Sequence, residues 1–304
     1  MPGSRRDAAK APRTALVAPI WDRSAGPLLR SYLGAGKKPV WMSPQGFRFA
    51  DGGILTHDDW THGDWSRLTG IVIASISGRQ DAELFEWRRS VLEEISLAGL
   101  PVIPDPRGIR LAWEPTRVLL RLRRGGISVI DHYVGENLDD AMDFVRLWKG
   151  AQFRVPEGGH APEIEWIAPG NGARERLEDL WQEYPSGPFV LTRDVRGEIA
   201  TLLVVGAEVI GAWRGGTPGL EAEHVAEQPR ETETELALAA SAAFGLDPVA
   251  VDVVRDAGPS QVHGVRPLGF WRAALDAHPQ LAADLPRRLN ALLDQARAQF
   301  GEQG

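Results

Sequence analysis

The sequence predicts an α/β protein in which an N-terminal lobe with a parallel sheet is followed by a two-lobed α+β core. Two observations carry this prediction. Through roughly the first hundred residues, apolar runs of strand length alternate with a helical segment. Beyond that point the apolar runs come in close pairs with helices between them, a pattern typical of antiparallel sheets covered by helices.

The N-terminal lobe is expected to cover residues 14–104, after a loose tail at residues 1–13. Its helix is predicted over residues 81–98, because apolar side chains recur there at helical spacing and Gly99 can end the last turn. The predicted strands are short apolar runs at residues 14–20, 40–42, 69–75 and 101–103. Strands separated by a helix favour parallel pairing, with helices on the faces of the sheet.

The core is expected to cover residues 105–304, as a central lobe (105–185) and a C-terminal lobe (186–304). A hairpin is its clearest feature, since the apolar runs 199–205 and 208–213 are joined at Gly206 and Ala207. The other predicted strands are residues 152–155, 163–167, 187–191, 249–254 and 261–265. The predicted helices are residues 115–124, 138–148, 173–184 and 231–244, and a last amphipathic helix that begins at Pro286.

Composition and charge narrow the class of function. The 304 residues are 43% hydrophobic and 25% charged, which is ordinary for a folded globular chain. The formal charge of -7 argues against a general nucleic-acid binder, and no apolar run approaches the length of a membrane span. The absence of cysteine excludes disulfides, thiol nucleophiles and thiolate metal sites. We therefore expect a cytoplasmic protein without nucleic-acid or membrane partners.

Four stretches of the sequence together resemble the ATP-grasp ligases. Residues 203–214 (LVVGAEVIGAWR) look like the antiparallel hairpin of that family, and residues 235–247 (ELALAASAAFGLD) like the helix that follows it. Residues 251–254 (VDVV) resemble the strand that carries a metal ligand, and residues 97–112 resemble the lead-in to the core. The likeness is greatest to the glutathione synthetase and ribosomal-protein glutamate ligase branch, over roughly residues 70–272 in element order.

This resemblance implies a fold and a chemistry. The first lobe would be the pre-ATP-grasp domain, and the core would be ATP-grasp-like. ATP and magnesium would bind between two lobes, where a carboxylate is activated as an acyl phosphate and then attacked by an amine.

The magnesium ligands that the resemblance implies are largely replaced. The family has Glu-Val-Asn on the strand after the turn, where this sequence has Gly264, Val265 and Arg266. Magnesium needs oxygen ligands, whereas glycine has no side-chain oxygen and arginine is permanently cationic. Asp252 is the remaining candidate for a metal ligand, and Arg266 is a candidate catalytic residue if the chain is active. The alternative is that Asp252 and Arg266 form an ion pair.

The two phosphate-binding lysines of the family are missing as well. Arg117 lies close to the position of the first. Val155 occupies the position of the second, and Arg154 replaces that lysine only if the strand shifts by one residue, because neighbouring strand side chains point to opposite faces. Gly158 and Gly159 are what remains of the glycine-rich lid, and the alternative for them is an ordinary turn.

The adenine pocket that the resemblance implies tolerates side-chain changes, since the hinge of the family recognises the base through backbone groups. Leu191, Arg193 and Asp194 would form this hinge, with Asp194 accepting hydrogen bonds from the ribose hydroxyls. Arg214 ends its strand where the family often places a substrate or phosphate arginine, so it is the second candidate catalytic residue. The alternatives are a surface turn for Arg193 and Asp194 and a solvated strand end for Arg214.

Residues 57–64 (HDDWTHGD) form a separate polar cluster with two histidines and three aspartates. Imidazoles and carboxylates suit a divalent metal. The two histidines are five residues apart, however, which is not the spacing of a helical ligand pair, and this favours a polar surface loop.

Three functional hypotheses remain open. The first is an ATP-grasp-fold protein with a degenerate site that binds a small molecule or a protein partner. The second is a divergent ATP-dependent carboxylate–amine ligase, in which Asp252 holds the metal and arginines replace the lysines. The third is a regulatory subunit that pairs with an active relative, and a homodimer is also compatible with the sequence. The replaced charged positions favour the non-catalytic hypotheses.

Overall fold

The N-terminal lobe contains a parallel sheet. In the computed structural model, the described residues are 13–20, 22–50, 54–57, 65–76, 82–154, 164–183, 188–195, 198–214, 224–255 and 258–301. The elements of this lobe are β1 (Arg13–Val17), α1 (Gly26–Gly34), β2 (Val40–Met42), β3 (Phe47–Ala50), β4 (Ile54–His57), β5 (Leu68–Ile73), α2 (Ala82–Leu97) and β6 (Val102–Ile103). Four strands form the parallel sheet in the order β2-β1-β5-β6, and β3 and β4 form a separate hairpin.

The central lobe is a small antiparallel sheet covered on one face by two helices. Two connecting helices lead into it, α3 (Pro106–Trp113) and α4 (Pro115–Arg124). Its elements are β7 (His132–Gly135), α5 (Leu138–Leu147), β8 (Ala151–Arg154), β9 (Ile164–Ile167), α6 (Gly172–Glu183) and β10 (Phe189–Arg193). The strand order is β7-β10-β8-β9, and α5 and α6 pack on the apolar face to form a core of their own.

The C-terminal lobe is a five-stranded antiparallel sheet with the order β13-β12-β11-β14-β15. Its elements are β11 (Glu198–Val205), β12 (Glu208–Arg214), β13 (Val225–Glu227), α7 (Glu231–Phe244), β14 (Val249–Arg255), β15 (Gln261–Arg266), α8 (Trp271–Ala277) and α9 (Leu281–Gly301). Gly206 and Ala207 both have positive φ in the β11–β12 turn, as a two-residue hairpin turn requires.

The two faces of the C-terminal sheet have different partners. Because strand side chains alternate, Ala200 and Leu202 of β11 pack with Ala237 of α7, while Leu203 and Val205 pack on the other side with α8 and α9. Thr201 points away from α7 for the same reason. This second face is the one that carries the candidate metal ligand.

The last helix corrects one sequence prediction. It begins at Leu281 and not at Pro286, so Pro286 lies inside its first turns. Proline has no N–H, so the carbonyl of Ala282 lacks its helical donor. The hydroxyl of Ser31 on α1 donates to that carbonyl instead. A hydrogen bond from another helix thus allows α9 to start earlier than the proline suggests.

The predicted α/β class is confirmed, with the parallel sheet in the first lobe and antiparallel sheets in the rest. The sequence missed several short elements: α1, β3, β4, α3, β7, β13 and α8. The lobe boundaries at residues 104 and 185 stay predictions. Among the described residues, no helix is long and apolar enough to cross a membrane.

Candidate functional site

Asp252 and Arg266 are joined on the face of the C-terminal sheet that points away from α7. Asp252 on β14 lies opposite Thr201 on β11 and Gly264 on β15. Nε of Arg266 donates to Oδ2 of Asp252 at 2.8 Å, and Nη2 donates to Oδ1 at 2.7 Å. The hydroxyl of Thr201 also donates to Oδ1, at 2.6 Å. The structure therefore shows the ion pair that the sequence left as the alternative to a metal site.

This arrangement does not fit a magnesium ion at Asp252. The bidentate guanidinium occupies both carboxylate oxygens, and a cation would have to displace it. The side chain of Asp252 is 14% exposed, so its carboxylate is largely shielded from water, and this strengthens its attraction to the guanidinium. In the described ranges, moreover, no group of three or more histidine, cysteine, aspartate or glutamate side chains is placed to hold a metal ion. The assignment of Asp252 as a metal ligand stays a prediction.

Gly264 shows that space is not what excludes a second ligand. A Cβ atom built at Gly264 would lie 3.6 Å from Oδ2 of Asp252, which is an ordinary van der Waals contact. A longer side chain could therefore start from this position without a clash at its Cβ. An oxygen ligand is missing at this position because glycine has no side chain, and not because the space is blocked.

Arg266 retains one open edge. Its side chain is 33% exposed. Nε and Nη2 are occupied by Asp252 and Thr201, whereas Nη1 has no hydrogen-bond partner in the described part of the chain. The free edge of the guanidinium is thus available to an acceptor that approaches from solvent.

His224 was not predicted from the sequence, and it lies close enough to Arg266 for the charge of the guanidinium to act on its pKa. Its Nδ1 is buried and has no hydrogen-bond partner among the described residues. Burial lowers the pKa of His224; Asp276 opposes this shift, whereas the positive charges of Arg266 and Arg272 add to it. The imidazole is therefore neutral at pH 7 and can accept or donate one hydrogen bond. A single histidine before a short strand forms no motif, so nothing in the sequence marked it.

The structure does not bring Arg214 and Arg266 together. Arg214 pairs with Ala200 across β11 and therefore points to the α7 side of the sheet. Its guanidinium contacts Glu198 at 2.8 Å and Glu227 at 3.1 Å. A catalytic role for Arg214 stays a prediction, but its charge is already paired.

A buried ion network continues from Arg214 on the α7 side. Arg255 donates to both oxygens of Glu233, at 2.7 and 2.8 Å, and to Glu227 at 2.5 Å. Glu233 is fully buried, and burial alone would raise its pKa. The hydrogen bonds from Arg255 and from the backbone N–H of Arg230 outweigh that effect and lower the pKa of Glu233. The hydrogen bonds that Arg255 donates to Glu233 in turn raise the pKa of Arg255.

The central sheet presents a polar row on the face opposite α5 and α6. His132, Thr192 and Gln152 lie side by side on β7, β10 and β8, and Trp166 follows on β9. Thr192 is fully buried, and neither its Oγ1 nor Oε1 of Gln152 has a hydrogen-bond partner in the described residues. Buried polar groups are normally satisfied, so these two atoms mark a place for a polar ligand or water.

The predicted hinge connects the central and C-terminal lobes. Leu191 is buried in the central core, and Arg193 ends β10. Nη2 of Arg193 donates to Oε1 of Gln261 on β15 at 2.8 Å, and Nε lies 3.4 Å from Oδ2 of Asp131. Arg193 therefore ties the two lobes together. Its role in binding a nucleotide, and that of Asp194, which is partly exposed beside it, stay predictions.

Of the predicted phosphate-binding residues, the structure describes Arg117 and Arg154. Nε of Arg117 contacts Glu114 at 2.6 Å, in a pair that is about half exposed. Arg154 ends β8 and lies opposite Ile164 on β9. Gly158 and Gly159 lie outside the described residues, as do residues 58–64 of the histidine–aspartate cluster. Of that cluster, His57 is buried beside Phe47, and its Nε2 lies 3.0 Å from the carbonyl of Ser43.

Comparison with solved structures shows the fold. The ATP-grasp ligase PsnB, solved with a minimal precursor, superposes with a TM-score of 0.71 and 17% identity, over 92% of this chain and 99% of that one. The D-cycloserine synthetase DcsG superposes with a TM-score of 0.70 and 20% identity, over 92% and 99%. A RimK domain ATP-grasp protein from Sphaerobacter thermophilus DSM 20745 gives 0.67 and 16%, over 89% and 97%.

At these identities the likeness shows a shared fold, and it extends through nearly all of each chain. No model of a known protein family matches the sequence, and no curated protein matches it.

Proposed function

Since the chain has the ATP-grasp fold, we propose that it is a non-catalytic binding protein that holds a small molecule or a segment of a protein partner in its cleft without a metal ion. The bidentate pair of Arg266 with Asp252 carries this proposal. By the resemblance, the guanidinium of Arg266 stands where a metal-dependent ligase has an amide oxygen that binds magnesium, and this supports the proposal.

The reaction of ATP-grasp ligases explains why an arginine in place of a metal ligand matters. Phosphoryl transfer from ATP depends on metal ions that bridge the phosphates and neutralise the charge that develops on them. A guanidinium held by two hydrogen bonds to Asp252 and one to Thr201 cannot move with the phosphates as a metal ion does. Binding of a ligand is compatible with this arrangement, whereas formation of an acyl phosphate is not supported by it.

The cleft is the space between the central and C-terminal lobes in which the resemblance places the ligand. Polar groups on both lobes lack partners and can be satisfied by a ligand there. Oγ1 of Thr192 and Oε1 of Gln152 are buried and unpartnered on the central sheet. On the C-terminal sheet, Nη1 of Arg266 and Nδ1 of His224 are unpartnered within the described residues. These groups favour a polar ligand with an acceptor for Arg266, such as a carboxylate or a phosphate.

Calorimetry with ATP, ADP and AMP, each with and without magnesium, tests the proposal. We expect that magnesium does not strengthen the binding of any of the three nucleotides. Asp252→Asn is the matched variant, because it removes the carboxylate charge but keeps the side-chain volume. If ATP binds at about micromolar Kd and magnesium tightens this binding in the parent chain but not in Asp252→Asn, the non-catalytic proposal is wrong.

The second candidate is a divergent ATP-dependent carboxylate–amine ligase. The full-length likeness to ligases such as PsnB, which has been solved with magnesium and ADP, favours it. Arginine can neutralise phosphate charge in place of lysine. The same calorimetric experiment separates the two candidates, since a ligase requires magnesium-dependent ATP binding.

A further inference from the structure

A cavity of about 350 Å³ opens on the outer surface of the central lobe. It is lined by Glu136, Leu138, Glu178, Trp181, Gln182 and Phe189. Phe189 belongs to the core under α5 and α6, whereas Thr192, three residues further along the same strand, belongs to the opposite face. The cavity therefore lies across the sheet from the polar row of the cleft, and the two sites are separate.

The floor of the cavity is aromatic. The rings of Trp181 and Phe189 lie with centroids 4.9 Å apart, and Phe189 is 2% exposed. Trp181 is partly exposed, so its ring is open to an occupant. Aromatic faces attract organic cations, and a volume near the lower end of ligand-pocket sizes suits one side chain better than a nucleotide.

The rim of the cavity is acidic. Glu136 is exposed and forms no ion pair within the described residues. Glu178 is paired with Arg174 at 3.1 Å, and Arg174 also contacts Asp139 at 2.7 Å. The residues that line the cavity thus include two carboxylates, Glu136 and Glu178, and no lysine or arginine, which leaves an excess of negative charge for a cationic occupant.

The neighbouring backbone indicates how an occupant is presented. β7 ends at Gly135, immediately before Glu136, and it is an edge strand of its sheet that pairs on one side with β10. No other described strand pairs with its outer side. The turn after β7 is fixed, since the Tyr133 hydroxyl donates to the carbonyl of Asn137 and accepts from its N–H. An extended peptide can pair with such an edge and place a side chain beside its end.

We propose that this cavity binds the basic side chain of an extended peptide that pairs with β7. The guanidinium or ammonium group lies over Trp181 and near Glu136, and the apolar stem lies against Leu138. The partner is therefore a protein segment with a lysine or arginine among β-branched residues. The proposal is independent of the proposed function of the cleft, because no residue is shared between the two sites.

The full chain can be titrated calorimetrically with the acetylated, amidated peptide Val-Thr-Val-Arg-Val-Thr. Its counterpart with citrulline keeps the shape of arginine but removes the charge. We expect saturable binding of the arginine peptide and binding of the citrulline peptide that is weaker by about tenfold. Added salt should weaken the first interaction and leave the second unchanged.

Glu136→Gln should weaken the binding of the arginine peptide by about three- to fivefold. Glu183→Gln is the matched control, because Glu183 is an exposed carboxylate next to Gln182 that does not line the cavity. Hydrogen exchange supplies the second readout, since the peptide should slow exchange of amides in residues 132–135.

Three results would overturn the proposal. One is the absence of saturable binding up to about 5 mM peptide. Another is equal affinity for the arginine and citrulline peptides. The third is binding of free argininamide as tight as that of the peptide, which would make the occupant a small molecule.

Discussion

The two faces of the C-terminal sheet each carry an arginine–carboxylate pair, and the two pairs differ in how completely they are enclosed. On the α7 side, Arg255 is 11% exposed and satisfies two carboxylates, one of them fully buried. On the cleft side, Arg266 satisfies one carboxylate and keeps an exposed edge. An enclosed pair holds secondary structure together, whereas a pair with an open edge remains available to a ligand. Burial, and not the ion pair itself, distinguishes the structural site from the candidate binding site.

The largest effect is expected for Arg255→Met. The substitution leaves the buried Glu233 with the backbone N–H of Arg230 and the more distant guanidinium of Arg230, at 3.7 Å, as its partners, and it should lower the free energy of unfolding by about 3–5 kcal/mol. Urea denaturation at pH 7 measures this change. Arg214→Met is the matched control on the same network, and since Arg214 is 48% exposed it should cost about 1 kcal/mol or less. Equal losses for the two variants would contradict the distinction between an enclosed ion pair and an exposed one.

The pH dependence of that network has a defined sign. The pKa of Glu233 is lowered in the folded chain, so its contribution to stability is present above the ordinary glutamate pKa and is lost as the pH falls through the folded value. In Arg255→Met this loss at low pH should shrink, because the main partner of the ionised glutamate is gone.

A smaller effect is expected for Arg266→Met. It leaves Asp252 with the hydroxyl of Thr201 and with access to the cleft, so the free energy of unfolding should fall by about 1–2 kcal/mol. The same variant should also weaken the binding of an anionic ligand at Arg266. A loss of stability as large as that of Arg255→Met would show that Arg266 serves the fold in the same way as the enclosed pair.

The smallest effect concerns His224. Its pKa lies below 6.5 in the folded chain, so the unfolded chain takes up a proton first and the contribution of His224 to stability falls as the pH drops through 6.5. His224→Gln should remove this part of the pH dependence. In Arg266→Met the pKa of His224 should rise, because one positive neighbour is lost. NMR titration of the imidazole measures the pKa of His224 in the parent chain and in Arg266→Met. An unchanged pKa in Arg266→Met would show that His224 does not belong to the same site as Arg266.

Much of the core could be predicted from the sequence. The apolar runs of β11, β12 and β14 and the helix α7 are continuous and strongly patterned, so their positions agree with the structure to within one or two residues. Short elements such as β7 and β13 were missed, because three or four residues with mixed burial carry no clear period.

The relative direction of site side chains was harder to predict than their positions. The β11–β12 pair shifts register between Leu203 and Val204, and the β14–β15 pair shifts between Asp252 and Val253. Each irregularity changes which residues of the partner strand share a face. Sequence spacing does not reveal a bulge, so the positions of Arg214 and Arg266 in the sequence did not predict that they lie on opposite faces.

The hydrogen bond from Ser31 to Ala282 has a consequence for how the chain is made. It joins α1 to α9, which is synthesised about 250 residues later at roughly 5–20 residues per second. Helix α9 also packs against β5 and contributes Leu285, Leu289 and Leu293 to the core that contains Leu16 and Val72. The N-terminal sheet therefore keeps part of its apolar face uncovered until α9 has been synthesised, and in that interval the first lobe exposes the apolar surface that chaperones bind.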